Sequence, residues 1–521
     1  MKRDVLIGMD YGTNGAKALA YSVETGKVVS QAYQGYPVYY PPPNLAEHDP
    51  ADWWQAFKLA LANLLKNETF KAEQIACISV SAHTPSLLPM DNAGQPLSRA
   101  AIWADARSEK EAASIIERLG DKIKRINPAA IRPYHMVAKI EWLRTQRPDI
   151  FAKTKYFLQC NTYINYRLTG VYSIDHSMAG NCHFYNIYTR TWDKEICESL
   201  HIPFEMLPPV SESYDIIGHV SKEAAEETGL SPETLVAAGT TDTAAATLGA
   251  GIYKEGQTGY STGTGSTLVQ VVAIPKNPGS MKIDPALISI PAVIPGFILN
   301  TAVMGCTGGA LKWFRKALGQ SETALEDAFG IDAYSMFDRE AERTATGSGG
   351  LIFIPYLTGE LSPIWNSKAR GVFFGLGDST TRGEILRSIM EGSCYSFRHN
   401  MDIINPGSGT AIKEITATGG PCNSKFWMQA LADCNGVEIQ TLQKCEGAAM
   451  GDVIISGLGT GVFKDVKDAF STVVEYGAKY TPNPAEKLKY DSLFNIYKSL
   501  VVGLKDNFAA LAEWRDTNLS L

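Results

Sequence analysis

Two short turns, one in each half of the chain, constrain the fold more than any other feature. The first is Asp10-Tyr11-Gly12-Thr13-Asn14-Gly15, which follows the apolar run 5–9 and precedes an extended pattern over 17–22. The second is Gly263-Thr264-Gly265-Ser266, inside a strand, turn, strand pattern over 258–272. Both turns are rich in small residues and flanked by strand-like sequence, so each predicts a tight hairpin. A third strand over 27–32 follows Thr25-Gly26, and the run 75–81 reads as a buried strand. Helix signals alternate with these strands. At Asp49-Pro50-Ala51 a carboxylate can accept from an orphan N–H, and proline loses nothing by lacking one. Trp54, Phe57, Leu61 and Leu64 then recur at helical spacing and are expected in the core.

Helices are also expected over 136–146 and 221–228, and a strand over 414–418 leads to a helix from about 423 to 433 that stops at Asn435-Gly436. After Pro482 and Pro484 one long amphipathic helix is expected, with Leu493, Tyr497, Leu500, Leu504, Phe508 and Leu511 on one stripe. At 521 residues the chain is long enough for two or three domains. Alternating strands and helices make the class α/β, divided into 1–248 and 249–521.

The net charge of −7 argues against nucleic acid and against an anionic membrane surface as partners, while leaving room for a small anionic ligand in one local patch. Nine cysteines, scattered and without a C-x-x-C pair, form neither a disulfide framework nor a zinc cage. A reducing compartment, and so a cytoplasmic location, is expected. The apolar run at the start ends at Asp10, too soon for a signal peptide, and the most apolar stretch, 286–299, contains Pro291 and Pro295.

Four constellations carry chemistry. In the first turn, glycines let backbone N–H groups approach an anion, Thr13 and Asn14 add short donors, and Asp10 could orient Mg²⁺ through water. A plain hairpin turn, with Asp10 bonding its own backbone, explains the same residues. In the second, Gly259-Tyr260-Ser261-Thr262-Gly263 matches the G-x-S-x-G of a hydrolase nucleophile elbow. That elbow needs a helix after the serine, and Thr267 to Val272 is strand-like, which favours a phosphate-clasping turn at Gly263-Thr264. The third is Gly239-Thr240-Thr241-Asp242-Thr243, where Asp242 follows a strand end, either as a reactive carboxylate or as a helix N-cap. The fourth is Gly419-Gly420-Pro421-Cys422-Asn423-Ser424, a strand-to-helix turn suited to a phosphate, ribose or ring edge. No G-x-x-x-x-G-K-[ST] loop occurs. Two anion turns, a carboxylate between them and a nucleotide-edge turn together describe a phosphotransferase closing two domains around ATP.

With these motifs in place the sequence resembles the FGGY family of carbohydrate kinases, in its xylulose- and gluconate-kinase-like branch, over nearly the whole chain. Asp10-Tyr11-Gly12-Thr13 resembles the family's first phosphate motif, Gly263-Thr264 its second, and Gly419-Gly420 through Trp427, Gln429 and Asp433 its adenosine motif. The segments 353–371, 371–392 and 446–451 fit as well, and 139–143 fits most of a further signature, with Met136 where Pro, Ser or Thr is usual.

The resemblance implies two actin-like (ribonuclease H-like) domains with a cleft between them. It implies ATP-dependent phosphorylation of a ketose, polyol or related sugar, with Asp242 as general base and Asp10 toward Mg²⁺. Gly12, Thr13, Asn14, Lys17, Gly263, Thr264, Gly419, Gly420 and Ser424 would hold the nucleotide. His83, Thr84, Trp103, Asp105, Tyr134 and Thr243 would join Asp242 around the sugar. Where xylulose kinases usually carry Gly-Gln-Met-His-Gly, this chain has Ala82-His83-Thr84-Pro85-Ser86, and Thr243 replaces a common Asn or Gln. Both departures argue against reading D-xylulose itself from the resemblance. A non-catalytic actin-like ATPase or sugar sensor, and a serine hydrolase using Ser261, are the competing readings. A homodimer is left open.

Overall fold

The hairpin expected at each turn forms. In the computed structural model, which describes residues 3–42, 45–66, 69–408, 411–444 and 446–518, Val5–Gly12 (β1) pairs antiparallel with Gly15–Ser22 (β2), closing at Gly12 opposite Gly15. Cys445 lies outside the described residues. In the second half Thr258–Thr262 pairs with Ser266–Ala273, closing at Thr262 opposite Ser266. The strands run further than their apolar cores, because hydrogen bonding continues into the small residues of each turn.

Around each hairpin the same sheet is built. Lys27–Gly35 (β3) lies outside β2, and Ile75–Ala82 (β4) lies parallel to β1 on the other side. Beyond β4 come Leu235–Ala237, parallel, and Ile216–His219, antiparallel at the edge. The second sheet repeats this order from Phe297–Met304: two antiparallel pairings, two parallel pairings through Glu414–Gly419 and Glu438–Leu442, and an antiparallel edge strand, Tyr476–Tyr480. Ile288–Pro291 adds one more strand outside Phe297–Met304. The two halves are therefore two copies of one α/β topology, the actin-like arrangement expected of the chain.

Local signals place the helices as expected. Asp49 accepts the N–H of Ala51 at 3.0 Å, Pro50 opens the helix Pro50–Leu65 (α1), and Trp54, Phe57, Leu61 and Leu64 are buried by it. The helix Met136–Gln146 has the bounds read from sequence, and Ser221 caps Lys222–Thr228. Two boundaries differ. The helix expected from about 423 begins at Lys425, because Gly420–Asn423 winds more tightly as a 3-10 turn. The tail is two helices, Pro484–Gly503 and Lys505–Asn518, with Leu504 ending the first. The single stripe breaks there: Tyr497 and Phe508 are buried, whereas Leu511 is 39% exposed.

Each half has its own apolar core, and a third cluster lies between them, joining Leu6, Leu19 and Leu248 to Val269, Val271, Val453 and Ile454. The helix Ala448–Gly459, from the second half, supplies the closest approach. A Cβ on Gly8 of β1 would stand 1.9 Å from the Ala449 carbonyl oxygen. One on Gly451 would stand 1.9 Å from the Ala245 carbonyl oxygen. Only hydrogen fits at those contacts, so the glycines set how tightly this helix can lie on the first sheet and on the Asp242–Gly249 helix.

Candidate active site

The cleft floor between the halves is a cavity of about 300 Å³, lined by Asp10 and Asp242 from the first half and Ser261, Thr267 and Thr418 from the second. Asp242 is the first residue of its helix, not the cap. Thr241 takes that role, accepting the N–H of Ala244 at 3.2 Å. The carboxylate of Asp242 is thereby spared capping, although its Oδ1 accepts the N–H of Thr243 at 2.6 Å and the Thr243 hydroxyl at 3.1 Å. Burial pushes the Asp242 carboxyl up to about 6, against the two bonds from Thr243.

Asp10, near the end of β1, is pushed up to about 7, first by burial and then by the nearby Asp242, with Ser81 and Lys17 opposing. The Asp242 charge thus adds to burial at Asp10, whereas burial alone raises Asp242. Lys17, opposite Asp10 on β2, is drawn across the cleft: its Nζ lies 2.7 Å from Glu446 Oε2. At the first turn, the Tyr36 hydroxyl donates to the Gly12 carbonyl and that of Tyr33 to the Asn14 carbonyl. The Thr13 hydroxyl accepts the indole N–H of Trp103 at 2.9 Å.

A second cavity, of about 520 Å³, opens beside the second turn and includes Gly263, Thr264, Gly420, Ser424, Trp427 and Asp338 in its lining. The Thr264 carbonyl accepts the N–H groups of Thr307 at 3.0 Å and Gly309 at 2.9 Å, which fixes the turn. Ser424 caps the Lys425–Asn435 helix, accepting from Trp427, and donates to Asp338 at 2.8 Å. Gly419 is not in the lining; at φ 107° its Cβ position would stand 1.8 Å from the Thr262 carbonyl oxygen, so it joins strand to turn from behind.

Of the residues expected around the sugar, Asp242 and Thr243 line the cavity floor, whereas Trp103, Asp105, His83, Thr84 and Tyr134 are not in its lining. Trp103 is 42% exposed and tied to the first turn by its bond to Thr13. Asp105, expected to wait for hydroxyls, is fully buried and already engaged: Arg107 donates to it through backbone and guanidinium, and the Ala46 N–H reaches its Oδ2 at 2.7 Å. Burial alone would raise its carboxyl, but these bonds outweigh it and hold Asp105 low. Arg107 also grips Glu47 at 2.6 Å, which ties Asp105 into a three-residue charge cluster.

His83 is buried against His48 and Trp53 with both ring nitrogens unpartnered, and burial holds its imidazole neutral. The Thr84 hydroxyl donates to Gln159 at 2.9 Å, and the Tyr134 hydroxyl is buried without a partner beside His135. Lys139 joins the two sugar-side segments by donating to the carbonyls of Ala101 at 3.1 Å and Ile102 at 2.7 Å, and to that of Pro85.

Ser261 faces the cleft on a strand that turns into another strand, so no elbow helix stands behind it. Sequence reasoning missed Ser81, Glu446, Asp338 and Asp452. Two carried a signal: Glu446 opens the segment 446–451, and Asp452 is a lone charge in the apolar helix 448–459.

A cleft between two copies of one topology, with two buried carboxylates on its floor and a pocket at a strand-to-helix turn, fits a phosphotransferase of the actin-like class. Residues 5–249 match the N-terminal domain and residues 259–459 the C-terminal domain of the FGGY family of carbohydrate kinases, and the chain belongs to that family. It is 30% identical to the gluconokinase of Bacillus subtilis, over 98% of each chain. It is 28% identical to the xylulose kinase of the same organism, over 98% of this chain and 99% of the other. Among solved structures, the ligand-bound xylulose kinase of Lactobacillus acidophilus superposes with a TM-score of 0.86 at 26% identity, covering 97% of this chain and 99% of that one.

Proposed function

We propose that this carbohydrate kinase transfers the γ-phosphate of ATP to a hydroxyl of a ketose, polyol or related sugar, with Asp242 as general base. The observation that carries the reading is the position of Asp242 at the first turn of its helix, relieved of capping by Thr241 and set beside Asp10 in the cleft cavity. A carboxyl pushed up to about 6 is ionised at neutral pH yet basic enough to take the hydroxyl proton as the oxygen attacks phosphorus. A positioned base of this kind contributes roughly 10²–10⁴-fold. The remaining acceleration is positioning and charge neutralisation by the two turns, with domain closure keeping water from the phosphoryl group.

The donor set suits Mg²⁺. Among the described residues no group of three or more His, Cys, Asp or Glu could cage a metal. One buried carboxylate, Asp10, matches the way Mg²⁺ binds through one or two carboxylates, waters and substrate phosphates. Bound there, the ion would neutralise phosphate charge. Asp10 would orient its water shell, while Gly12, Thr13, Asn14, Lys17, Gly263 and Thr264 hold phosphates and Gly420 and Ser424 the adenosine, with Gly419 shaping that turn from behind. His83, Thr84, Trp103, Tyr134 and Thr243 form the sugar side; Asp105 shapes it by holding Arg107. The boundary between the two functional halves falls at 248/249.

The test is ADP release over a panel of ketoses, polyols and sugar acids that includes D-xylulose and D-gluconate, the substrates the named relatives suggest. One panel member should be turned over, and Asp242→Asn should abolish that turnover while ADP still binds. Full activity in Asp242→Asn would remove the base assignment.

A further inference from the structure

Asp452 is a fully buried carboxylate on the Ala448–Gly459 helix, and the mechanism above does not use it. It reaches out of the second half onto β4 of the first. There it accepts the Ser81 hydroxyl at 2.6 Å, the Ser81 N–H at 3.2 Å and the Ser79 hydroxyl at 3.0 Å. The Ser456 hydroxyl, one turn further along the helix, donates to the Ile7 carbonyl at 3.2 Å, so the helix is seated on β1 as well. Ser81 stands opposite Asp10 in the parallel register of β1 and β4, and its Oγ is 3.4 Å from Asp10 Oδ1.

A hydroxyl has one hydrogen and two acceptors compete for this one. The 2.6 Å contact lies at the short end for O–H···O bonds, and 3.4 Å is long for one. The hydrogen therefore goes to Asp452. Asp10 keeps only the long approach of Ser81 from β4, and its oxygens are not firmly pinned to the sheet behind it.

We propose that Asp452 is a positioning residue that keeps the Asp10 carboxylate free for a cation by diverting the hydroxyl hydrogen of Ser81. The proposal rests on the reading of Asp10 as the carboxylate that faces the bound cation. Removing Asp452 returns the hydrogen to Asp10, where a bond from the sheet competes with the cation for an oxygen lone pair. Removing the Ser81 hydroxyl as well takes that competitor away.

The test is Mn²⁺ binding to the full chain in the presence of ADP, followed by the electron paramagnetic resonance of free Mn²⁺, which needs no turnover. Asp452→Ala should weaken Mn²⁺ about 3- to 10-fold. Asp452→Asn, which keeps an acceptor oxygen for Ser81, should stay within about twofold of wild type. The double variant Asp452→Ala with Ser81→Ala should return to within about twofold as well. A purely packing role predicts that the double variant binds as weakly as Asp452→Ala or worse, and that result, or an unchanged Asp452→Ala, overturns the proposal. Should Asp452→Ala fail to fold, Ser81→Ala and Asp452→Asn still decide: each must hold Mn²⁺ within about twofold, and loss in either counts against the idea. Asp10→Asn separates the two layers. If it leaves Mn²⁺ binding intact, the reading of Asp10 fails; if it abolishes binding while Asp452→Ala changes nothing, only the role of Asp452 fails.

Discussion

Lys17 Nζ lies 2.7 Å from the carboxylate of Glu446 and 3.2 Å from the Glu446 carbonyl, so the ammonium beside the first turn is held by the opposite half of the molecule. Both side chains are partly exposed, at 35% and 25%, and pairs of that kind are worth about 0.2–1 kcal/mol. Nucleotide phosphate can therefore displace Glu446 at small cost. Glu446→Gln should tighten ADP up to about fivefold, the affinity equivalent of 1 kcal/mol, and Lys17→Met should weaken it. Calorimetric titration of ADP checks both; weaker binding in Glu446→Gln would mean that the pair holds the halves together for ligand and does not compete with it.

The raised carboxyls of Asp242 and Asp10 predict opposite effects of pH on activity and on stability. The base must be ionised, so kcat/KM for the sugar should fall as pH drops, with an apparent midpoint between about 6 and 7 for the coupled pair. Stability runs the other way. A carboxyl at about 6 in the fold and 3.8 in the unfolded chain binds its proton more tightly when folded, so its stabilising contribution is full below 3.8 and lost as pH rises through 6. Asp242→Asn escapes that loss. Its advantage over wild type in urea unfolding should grow between pH 4 and 7 and approach at most about 3 kcal/mol, from roughly two pKa units at 1.36 kcal/mol each. A constant difference across that range would show that burial does not perturb Asp242.

Thr264 and Ser261 belong to different cavities, and this separates their variants. Thr264 lines the pocket at the second turn, whereas Ser261 lines the cleft floor. Thr264→Val should raise the KM for ATP by about tenfold, the size of one lost charge-assisted bond, and Ser261→Ala by less than threefold. The reverse ranking in steady-state kinetics would restore a chemical role to Ser261.

Gly451 tests the seat of the Ala448–Gly459 helix. With 1.9 Å between an added Cβ and the Ala245 carbonyl oxygen, backbone must move, because neither atom is the end of a flexible side chain. Gly451→Ala should cost about 1–3 kcal/mol on denaturant unfolding, the usual penalty of overpacking, and lower kcat as Asp242 shifts with its helix. An unchanged midpoint and unchanged kcat would show that the two helices have room to part.

Much of this was legible in the sequence, because much of it is local. A hairpin turn is written in its glycines and threonines, a helix start in Asp49-Pro50, and a cavity-forming strand-to-helix turn in Gly419-Gly420. These signals act over a few residues, so two copies of one hairpin could be seen and the α/β class stated. Asp242 was legible as reactive or as a cap; the cap is Thr241, one residue earlier, which takes the Ala244 N–H. Asp105 looked like a hydroxyl reader because nothing local says that Ala46 and Glu47, some sixty residues earlier, close around it and Arg107. The tail read as one stripe because helical periodicity does not register where a carbonyl ladder breaks at Leu504.

By itself, then, the sequence determined the duplicated hairpins, the class of the fold and the two tight turns, since these follow from backbone freedom and side-chain pattern within short windows. Only the tertiary structure decided which charges meet. Lys17 is 429 positions from Glu446 and Ser81 371 positions from Asp452, and each pair forms because one helix of the second half lies on the first sheet at glycine-only distance. Burial and proximity set what a carboxylate does, and both are properties of the packed molecule.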